Sequence, residues 1–269
     1  MPIPVGTQLA AIPGMLAANI AAYNASDASR AGYNRPYDNY IAARNAGIAA
    51  AGSFGAWIAG DGTTAIQTLL IAFGMNARNS QLVPLAAFQG VLSAINPVIV
   101  NWVAGIALPL DKPPPNLVNP ATGATLSAEI QLIYNALATP GSVTNSGGYV
   151  AASKTMHCLF PELAPMIDGA HTGISYYNID RATYAPPLGI GNWVSWVGAP
   201  IYGVENPSPR GAGRNAWQWH QFMAAVGVNQ HIYELWQVSN RNPGLQAFLS
   251  LDPTPGTTGI PRIIDKSLW

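Results

Sequence analysis

The sequence predicts an all-α protein, a multi-helix globular domain. Apolar side chains recur at helical spacing in both halves of the chain, as at Ile66, Leu69, Leu70 and Phe73. Pro and Gly residues fall between these runs, where helices begin and end. The alternation of apolar and polar residues that is typical of a half-buried strand is scarce. We therefore expect helices that pack around one shared core.

Ala-rich runs separated by Pro make up residues 1–110, which we interpret as a helical subdomain. A first helix is expected over about 13–24, with its proline in the first turn. The run 36–61 has helical spacing, although its glycines weaken a helix by about 1 kcal/mol each relative to alanine. A further helix is expected from residue 63, with Gly74 as its stop.

No charged residue occurs between 79 and 110, so this stretch is long enough to be considered as a membrane span. Pro97 lies in the middle of it, Asn96 and Asn101 lie within it, and no bias of Lys or Arg flanks it. A buried core helix that breaks near Pro97 is the better interpretation. We therefore expect no membrane insertion.

A Pro-rich segment, residues 111–126, follows this stretch and includes three consecutive prolines. Such a run favours an extended polyproline conformation. We interpret it as a linker that leads into a second helical subdomain, residues 127–269. That second subdomain carries the candidate site.

The second half contains the longest helical patterns. Ser127 is the expected N-cap of one helix, and Pro161 is expected to end another that covers 149–160. A long run near the C-terminus changes its apolar stripe at Gly227, where we expect a kink or break. The last eight residues, 262–269, bring several large apolar side chains together. We expect them to dock into the fold.

Charge is scarce and balanced along the chain. Charged residues are 9% of the total, with 12 Lys and Arg against 12 Asp and Glu, whereas about 25% is usual. The Arg residues are scattered, whereas proteins that bind duplex nucleic acid present a basic face. Strong duplex binding is therefore not expected. A surface with so little charge favours a homo-oligomer or an assembly partner; a sparingly soluble monomer is the alternative.

A single cysteine, Cys158, rules out a disulfide within the chain and fits a reducing compartment. The N-terminus has no basic segment before its apolar part, so it is a poor secretory signal. We expect a cytoplasmic protein. The sequence has no zinc pattern, phosphate loop or serine-nucleophile elbow, so we expect neither a metal nor a cofactor. Cys158 fits a small buried hydrophobe.

One stretch, "SKTMHCLFPELAPMID", concentrates reactive residue types. Lys154, His157 and Cys158 lie at i, i+3 and i+4 and therefore share one helical face. Asp168 precedes Gly169 and is expected in a turn. A buried lysine can act as a nucleophile toward a sugar carbon or a carbonyl, and a nearby aspartate could assist it. We therefore choose Lys154, His157 and Asp168 as candidate catalytic residues within one network.

This pattern resembles a family of uncharacterised helical proteins that read Ser-Lys-x-Leu-His, then Pro-x-Leu-x-Pro, then Asp. Those proteins often close with an Arg-x-Leu-Asp-x-x-Leu-Trp segment, which is similar to "RIIDKSLW" here. They distantly resemble the helix-hairpin-helix DNA glycosylases. The resemblance implies a glycosylase-like second half, with Asp168 at the catalytic aspartate and the helix over 149–160 at the second hairpin helix. Adjacent Gly147 and Gly148 replace the Gly-x-Gly hairpin turn of the glycosylases.

Each of these residues also has a purely structural interpretation. Lys154 fits a solvated charge, His157 a hydrogen-bonded core histidine, and Asp168 a turn or cap residue. Arg262 and Asp265 lie at i, i+3 and fit a structural pair that anchors the C-terminal turn.

Two hypotheses about function follow. The first is a glycosylase-like protein that binds or acts on a heterocyclic or sugar-bearing small ligand, with stacking surfaces from Tyr176, Tyr177, Trp193 and Trp196. The alternative is a non-enzymatic interaction or assembly protein, in which the Lys-His-Asp network is structural. An open cleft at Asp168 would favour the first hypothesis, and a dry, fully bonded network would favour the second.

Overall fold

The described residues of the first half are mostly helical. In this computed structural model the described residues are 3–4, 6–30, 32–76, 81–107, 117–167, 172, 175–176, 179 and 214–269. A 3₁₀ turn leads into six helices and a π-helical turn. Their bounds are Leu9–Ala11 (3₁₀), α1 Ile12–Arg30, α2 Asn34–Ala51, α3 Phe54–Trp57, Ile58–Gly62 (π), α4 Thr63–Ala72, α5 Leu85–Ala94 and α6 Pro97–Ala107.

The described part of the second half is also helical. It contains α7 (Leu126–Ala138), α8 (Tyr149–Leu159), the long helix (Arg214–Ser239), a short helix (Leu245–Leu249) and the C-terminal helix (Ile260–Leu268). Between the described residues there are only isolated β-bridges and no strand. The prediction of an all-α fold is confirmed.

A glycine divides the helical pattern predicted over 36–61. Gly52 adopts a φ of 76°, in the left-handed region that favours glycine, and α2 ends before it. Ser53 then caps α3, because its Oγ accepts the Ala56 N–H at 3.1 Å. Two helices with a turn between them therefore replace one weakened helix.

Other predicted helix ends have mixed outcomes. Gly74, at a φ of 74°, follows α4 as expected. Thr125, rather than Ser127, is the N-cap of α7. The long helix runs through Gly227 without a break, so the expected break is absent. Its neighbours Val226 and Val228 are both buried, and their packing outweighs the local cost of about 1 kcal/mol for a glycine.

The predicted break near Pro97 is confirmed, because α5 and α6 meet at an angle of 81°. Asn101 holds the bent pair against α3 by accepting the Gly55 N–H at 2.7 Å. Of the helices described, none is by itself long and apolar enough to cross a membrane, whereas α5 and α6 together meet the length and composition of a broken span. Residues 108–116, which include the three consecutive prolines of the predicted linker, lie outside the described residues.

Helices from both halves contribute to a single hydrophobic core. The C-terminal helix packs against α1 and the long helix, and the long helix also contacts α7 and α8. Every residue of the C-terminal helix is buried, and the Trp269 ring lies 5.4 Å from the Tyr33 ring, centroid to centroid. The prediction that this segment docks into the fold is confirmed.

Candidate functional site

The C-terminal end of α8 is held by side chains from α2. The Tyr40 hydroxyl donates to the Cys158 carbonyl at 2.5 Å, and the Arg44 guanidinium donates to the Leu159 carbonyl at 3.1 Å. The last carbonyls of a helix have no partner within it, and Pro161 prevents α8 from continuing. A cation at this end also suits the helix dipole. The two α2 side chains therefore fix the C-terminal end of the helix that carries Lys154 and His157.

His157 joins three segments inside the core, where its side chain is 0% exposed. Its Nδ1 lies 2.6 Å from the Ala164 carbonyl oxygen, and its Nε2 lies 2.8 Å from the Tyr37 hydroxyl. A carbonyl can only accept, so Nδ1 carries the proton and Nε2 accepts from Tyr37. Burial lowers the pKa of His157 to about 3. The ring is therefore neutral at physiological pH, and both of its nitrogens are bonded within the protein.

Lys154 and Cys158 are buried on the same helix. Lys154 is 5% exposed, and its Nζ lies 6.0 Å from the centroid of the Phe73 ring. Burial raises the pKa of Cys158 to about 12, against the opposing influence of Lys154. The thiol therefore stays protonated, as a small buried side chain. No cluster of His, Cys, Asp and Glu that could hold a metal ion occurs among the described residues.

Side chains from two helices fix the connecting segment, residues 160–167, which follows α8. The Ser153 hydroxyl donates to the Ile167 carbonyl at 3.2 Å, and His157 donates to Ala164. From the C-terminal helix, Asp265 Oδ2 accepts the Met166 N–H at 2.8 Å. The spacing of Ser153 and His157 in the motif therefore has a physical reason, because both side chains reach the backbone of the same segment.

Asp168 lies outside the described residues, as do Tyr177, Trp193 and Trp196. The continuous described stretch 117–167 ends at Ile167, whose carbonyl accepts a hydrogen bond from Ser153 on α8. The structure therefore brings Ser153 and His157 to the segment that leads to Asp168, whereas the Lys154 ammonium lies near the Phe73 ring. A contact between Asp168 and Lys154 stays a prediction.

Arg262 and Asp265 make separate contacts instead of the predicted pair. The Arg262 guanidinium donates to Asn34 Oδ1 at 3.0 Å and lies 4.3 Å from the centroid of the Tyr37 ring. Burial raises the pKa of Asp265 to about 8, although the Met166 N–H and Arg262 oppose this. Each residue anchors the C-terminal helix to a different part of the protein.

A buried ion pair anchors the last turn of the C-terminal helix. The Lys266 ammonium contacts the Asp252 carboxylate and also donates to Asn24 and Thr254. Burial opposes the ionisation of Asp252, but hydrogen bonds from Lys266, Thr257 and Asn24 outweigh it and lower its pKa to about 2. Burial lowers the pKa of Lys266 to about 8. This cluster was not predicted, although a lysine within a largely apolar terminal segment is a signal for it.

The long helix places a run of polar residues in the interior. Asn229, Gln230, His231 and Glu234 are all buried. Asn229 Oδ1 accepts from the Tyr176 hydroxyl at 2.6 Å, and burial lowers the pKa of His231 to about 4. Asn229 is not among the predicted site residues, because an asparagine on a helix usually faces solvent.

Comparison with known proteins finds no matching family, no matching curated protein and no matching solved structure. The chemistry of the interior is therefore the basis for a functional proposal. It combines neutral and ionisable side chains around one fixed backbone segment, and several of its hydrogen-bonding atoms lie at the junction of α8, the connecting segment and the C-terminal helix.

Proposed function

We propose that the chain is a glycosylase-like helical protein that binds a small heterocyclic or sugar-bearing ligand. The site is the polar junction formed by α8, the connecting segment and the C-terminal helix. Asp168, the residue after the connecting segment, is the proposed functional carboxylate. Lys154 supplies a cation to the same region, and His157 positions the backbone.

The observation that supports this proposal is the number of side chains spent on one short piece of backbone. Ser153, His157 and Asp265 bind the carbonyls of Ile167 and Ala164 and the N–H of Met166, at 2.6 to 3.2 Å. Binding and catalytic groups need supports of this kind, because small displacements weaken a site. Side chains from α8 and from the C-terminal helix therefore hold the backbone that leads to Asp168.

His157 fits the role of a positioning residue in this proposal. It is neutral, buried and bonded at both nitrogens, so it has no free position from which to accept a proton from a ligand. It binds the Ala164 carbonyl and thereby fixes the position of the connecting segment that leads to Asp168. Asp168 and Lys154 then supply the charged groups that contact the ligand.

A thermal-shift panel tests the proposal with adenine, hypoxanthine, uracil, their ribonucleosides and D-ribose. A ligand at about 100 times its Kd stabilises the folded state by about 2.7 kcal/mol, which raises the Tm of a chain of this size by several degrees. We expect at least one member of the panel to do so. A panel without any shift would refute ligand binding of this class.

Two matched variants locate the effect. Asp168→Asn keeps the size of the side chain but removes its charge, and we expect it to abolish the ligand-induced shift. Asp61→Asn makes the same change at an exposed position of the first half and should keep the shift. Equal shifts in both variants would exclude Asp168 from the site.

A second candidate function is assembly through α5 and α6. Residues 81–107 contain no charged side chain, yet Leu85 and Val98 in this stretch are 39% and 47% exposed. An uncharged face with exposed apolar side chains favours association. Light scattering after size exclusion tests this with Val98→Lys, and Val238→Lys on the long helix is the control. Assembly through this face predicts that only Val98→Lys dissociates an oligomer, whereas a monomeric wild type would exclude it.

A further inference from the structure

A buried polar cluster lies between the long helix and the C-terminal helix. The Tyr176 hydroxyl donates to Asn229 Oδ1 at 2.6 Å. The preceding residue, Ser175, donates to the Leu268 carbonyl at 2.5 Å, which places Tyr176 beside the C-terminal helix. Asp265 lies one turn earlier on that helix and accepts the Met166 N–H. The cluster therefore adjoins the connecting segment.

Two polar atoms of this cluster have no hydrogen-bond partner within the described part of the chain. They are Asn229 Nδ2 and Asp265 Oδ1, and their residues are 1% and 4% exposed. Native interiors rarely keep unpaired polar atoms, and those that persist mark an ordered water, an ion or a functional site. Tyr176 hydrogen-bonds to Asn229 and interacts electrostatically with Asp265, so both unpaired atoms belong to side chains that neighbour the same residue.

The hydrogen bonds that are present determine the character of the two free atoms. Asn229 Oδ1 already accepts from Tyr176, and Nδ2 is an amide nitrogen, so it can only donate. Burial raises the pKa of Asp265 to about 8, so this carboxyl is protonated at neutral pH. Asp265 Oδ2 accepts from Met166, which leaves Oδ1 to carry the proton. Both free atoms are therefore donors.

We propose that Asn229 and Asp265 form a ligand subsite whose two donors recognise a carbonyl oxygen. The inference rests on the proposed function, because it names the group by which the junction distinguishes one heterocycle from another. A ring that presents an oxygen at this edge pairs with both donors. A ring that presents an amino group there leaves the donors unpaired and places donor against donor.

Two groups within the described chain interact electrostatically with Asp265. They are Arg262, on the same helix, and Tyr176. The other titratable or charged groups described on α1, the long helix, the connecting segment and the C-terminal helix itself are Tyr23, Asp27, Glu162, His231, Tyr233, Glu234 and Lys266. Loss of the Asp265 proton would replace one donor of the subsite with a negative charge.

Calorimetric titration with hypoxanthine and adenine tests the subsite, because the two bases differ by an oxygen against an amino group at one edge. The wild type at pH 7 is expected to bind hypoxanthine about tenfold or more tightly than adenine. Its affinity for hypoxanthine is expected to fall as the pH rises above about 8, toward a limit of about tenfold per pH unit.

Two variants separate recognition from folding. Asp265→Asn keeps one oxygen for Met166 and one N–H for the ligand, so it should bind hypoxanthine at pH 7 without the loss above pH 8 that the wild type shows. It also corrects for titration of the ligand itself. The double variant Tyr176→Phe/Asn229→Leu removes a donor and its partner together and should abolish the preference for hypoxanthine.

The outcomes are distinct. Equal affinity for the two bases overturns the subsite but leaves the proposed function intact. Binding of neither base by the wild type overturns the subsite and indicates that the cluster holds ordered water only. The proposed function is overturned as well only when no other member of the thermal-shift panel stabilises the protein. The same pH dependence in Asp265→Asn and the wild type overturns the role of Asp265.

Discussion

Replacing His157 with leucine tests whether this ring connects three segments of the core. The ring donates to the Ala164 carbonyl and accepts from the Tyr37 hydroxyl. Leucine fills a similar volume but leaves both of these buried groups without a partner. Each unpaired buried group costs about 1–3 kcal/mol. We therefore expect the free energy of unfolding at pH 7 to fall by about 2–6 kcal/mol.

The same residue contributes to acid sensitivity. Because burial lowers the pKa of His157 from 6.5 to about 3, the protonated ring is favoured in the unfolded chain and disfavoured in the folded one. The stability that the neutral ring contributes is present above pH 6.5 and is lost as the pH falls toward 3, by up to about 1.4 kcal/mol per pH unit. Between pH 7 and pH 5 this loss is about 2 kcal/mol.

Urea unfolding at pH 7 and pH 5 measures both effects. The decrease in unfolding free energy between the two pH values should be about 2 kcal/mol smaller for His157→Leu than for the wild type. Tyr37→Phe is the matched control, because it removes one hydrogen bond of the ring but keeps the titrating group. His231, whose pKa burial lowers to about 4, contributes equally to all three proteins. Equal pH dependence in His157→Leu and the wild type would refute the assignment of His157.

Three further predictions concern the C-terminal helix. Asp252→Asn leaves Lys266 as an uncompensated buried charge, so denaturation should show that the free energy of unfolding falls by about 3–5 kcal/mol. The double variant Asp252→Asn/Lys266→Met should recover part of this loss. No recovery would contradict the pairing. Deletion of residues 261–269 removes a helix buried along its whole length and should abolish the cooperative thermal transition, whereas an unchanged Tm would make this segment a passenger. Burial raises the pKa of Asp265 from 3.8 to about 8, so its stabilising contribution is complete below pH 4 and is lost as the pH rises through 8. Asp265→Asn should therefore make the free energy of unfolding less dependent on pH between these values. The same pH dependence in the variant and the wild type would argue against the buried carboxyl.

Much of the fold follows from local sequence rules. The proline ring explains the bend between α5 and α6 at Pro97, and the conformational freedom of glycine explains the stop at Gly74. The rules fail where packing or neighbouring signals compete. Gly227 stays inside the long helix because buried valines flank it. Thr125 and Ser127 are both good caps, so their identity alone could not decide which one begins α7.

The candidate site was predictable only along one helix. Spacing of three and four residues placed Lys154, His157 and Cys158 together, and the structure confirms that they share α8. Their partners come from distant parts of the chain. Tyr37 lies 120 residues from His157, and Asp265 lies 99 residues from Met166. Helical periodicity has no means of pairing residues across such separations, so these contacts required the tertiary structure.

The position of a bound ligand tests the central claim most directly. Amide chemical shifts of the isotope-labelled protein, recorded during titration with hypoxanthine, report which backbone groups sense the ligand. A site at the polar junction predicts that the largest changes occur at Met166, Ile167 and Tyr176. Changes confined to α5 and α6, or no saturable change in any described residue, would contradict the claim that this junction is a binding site.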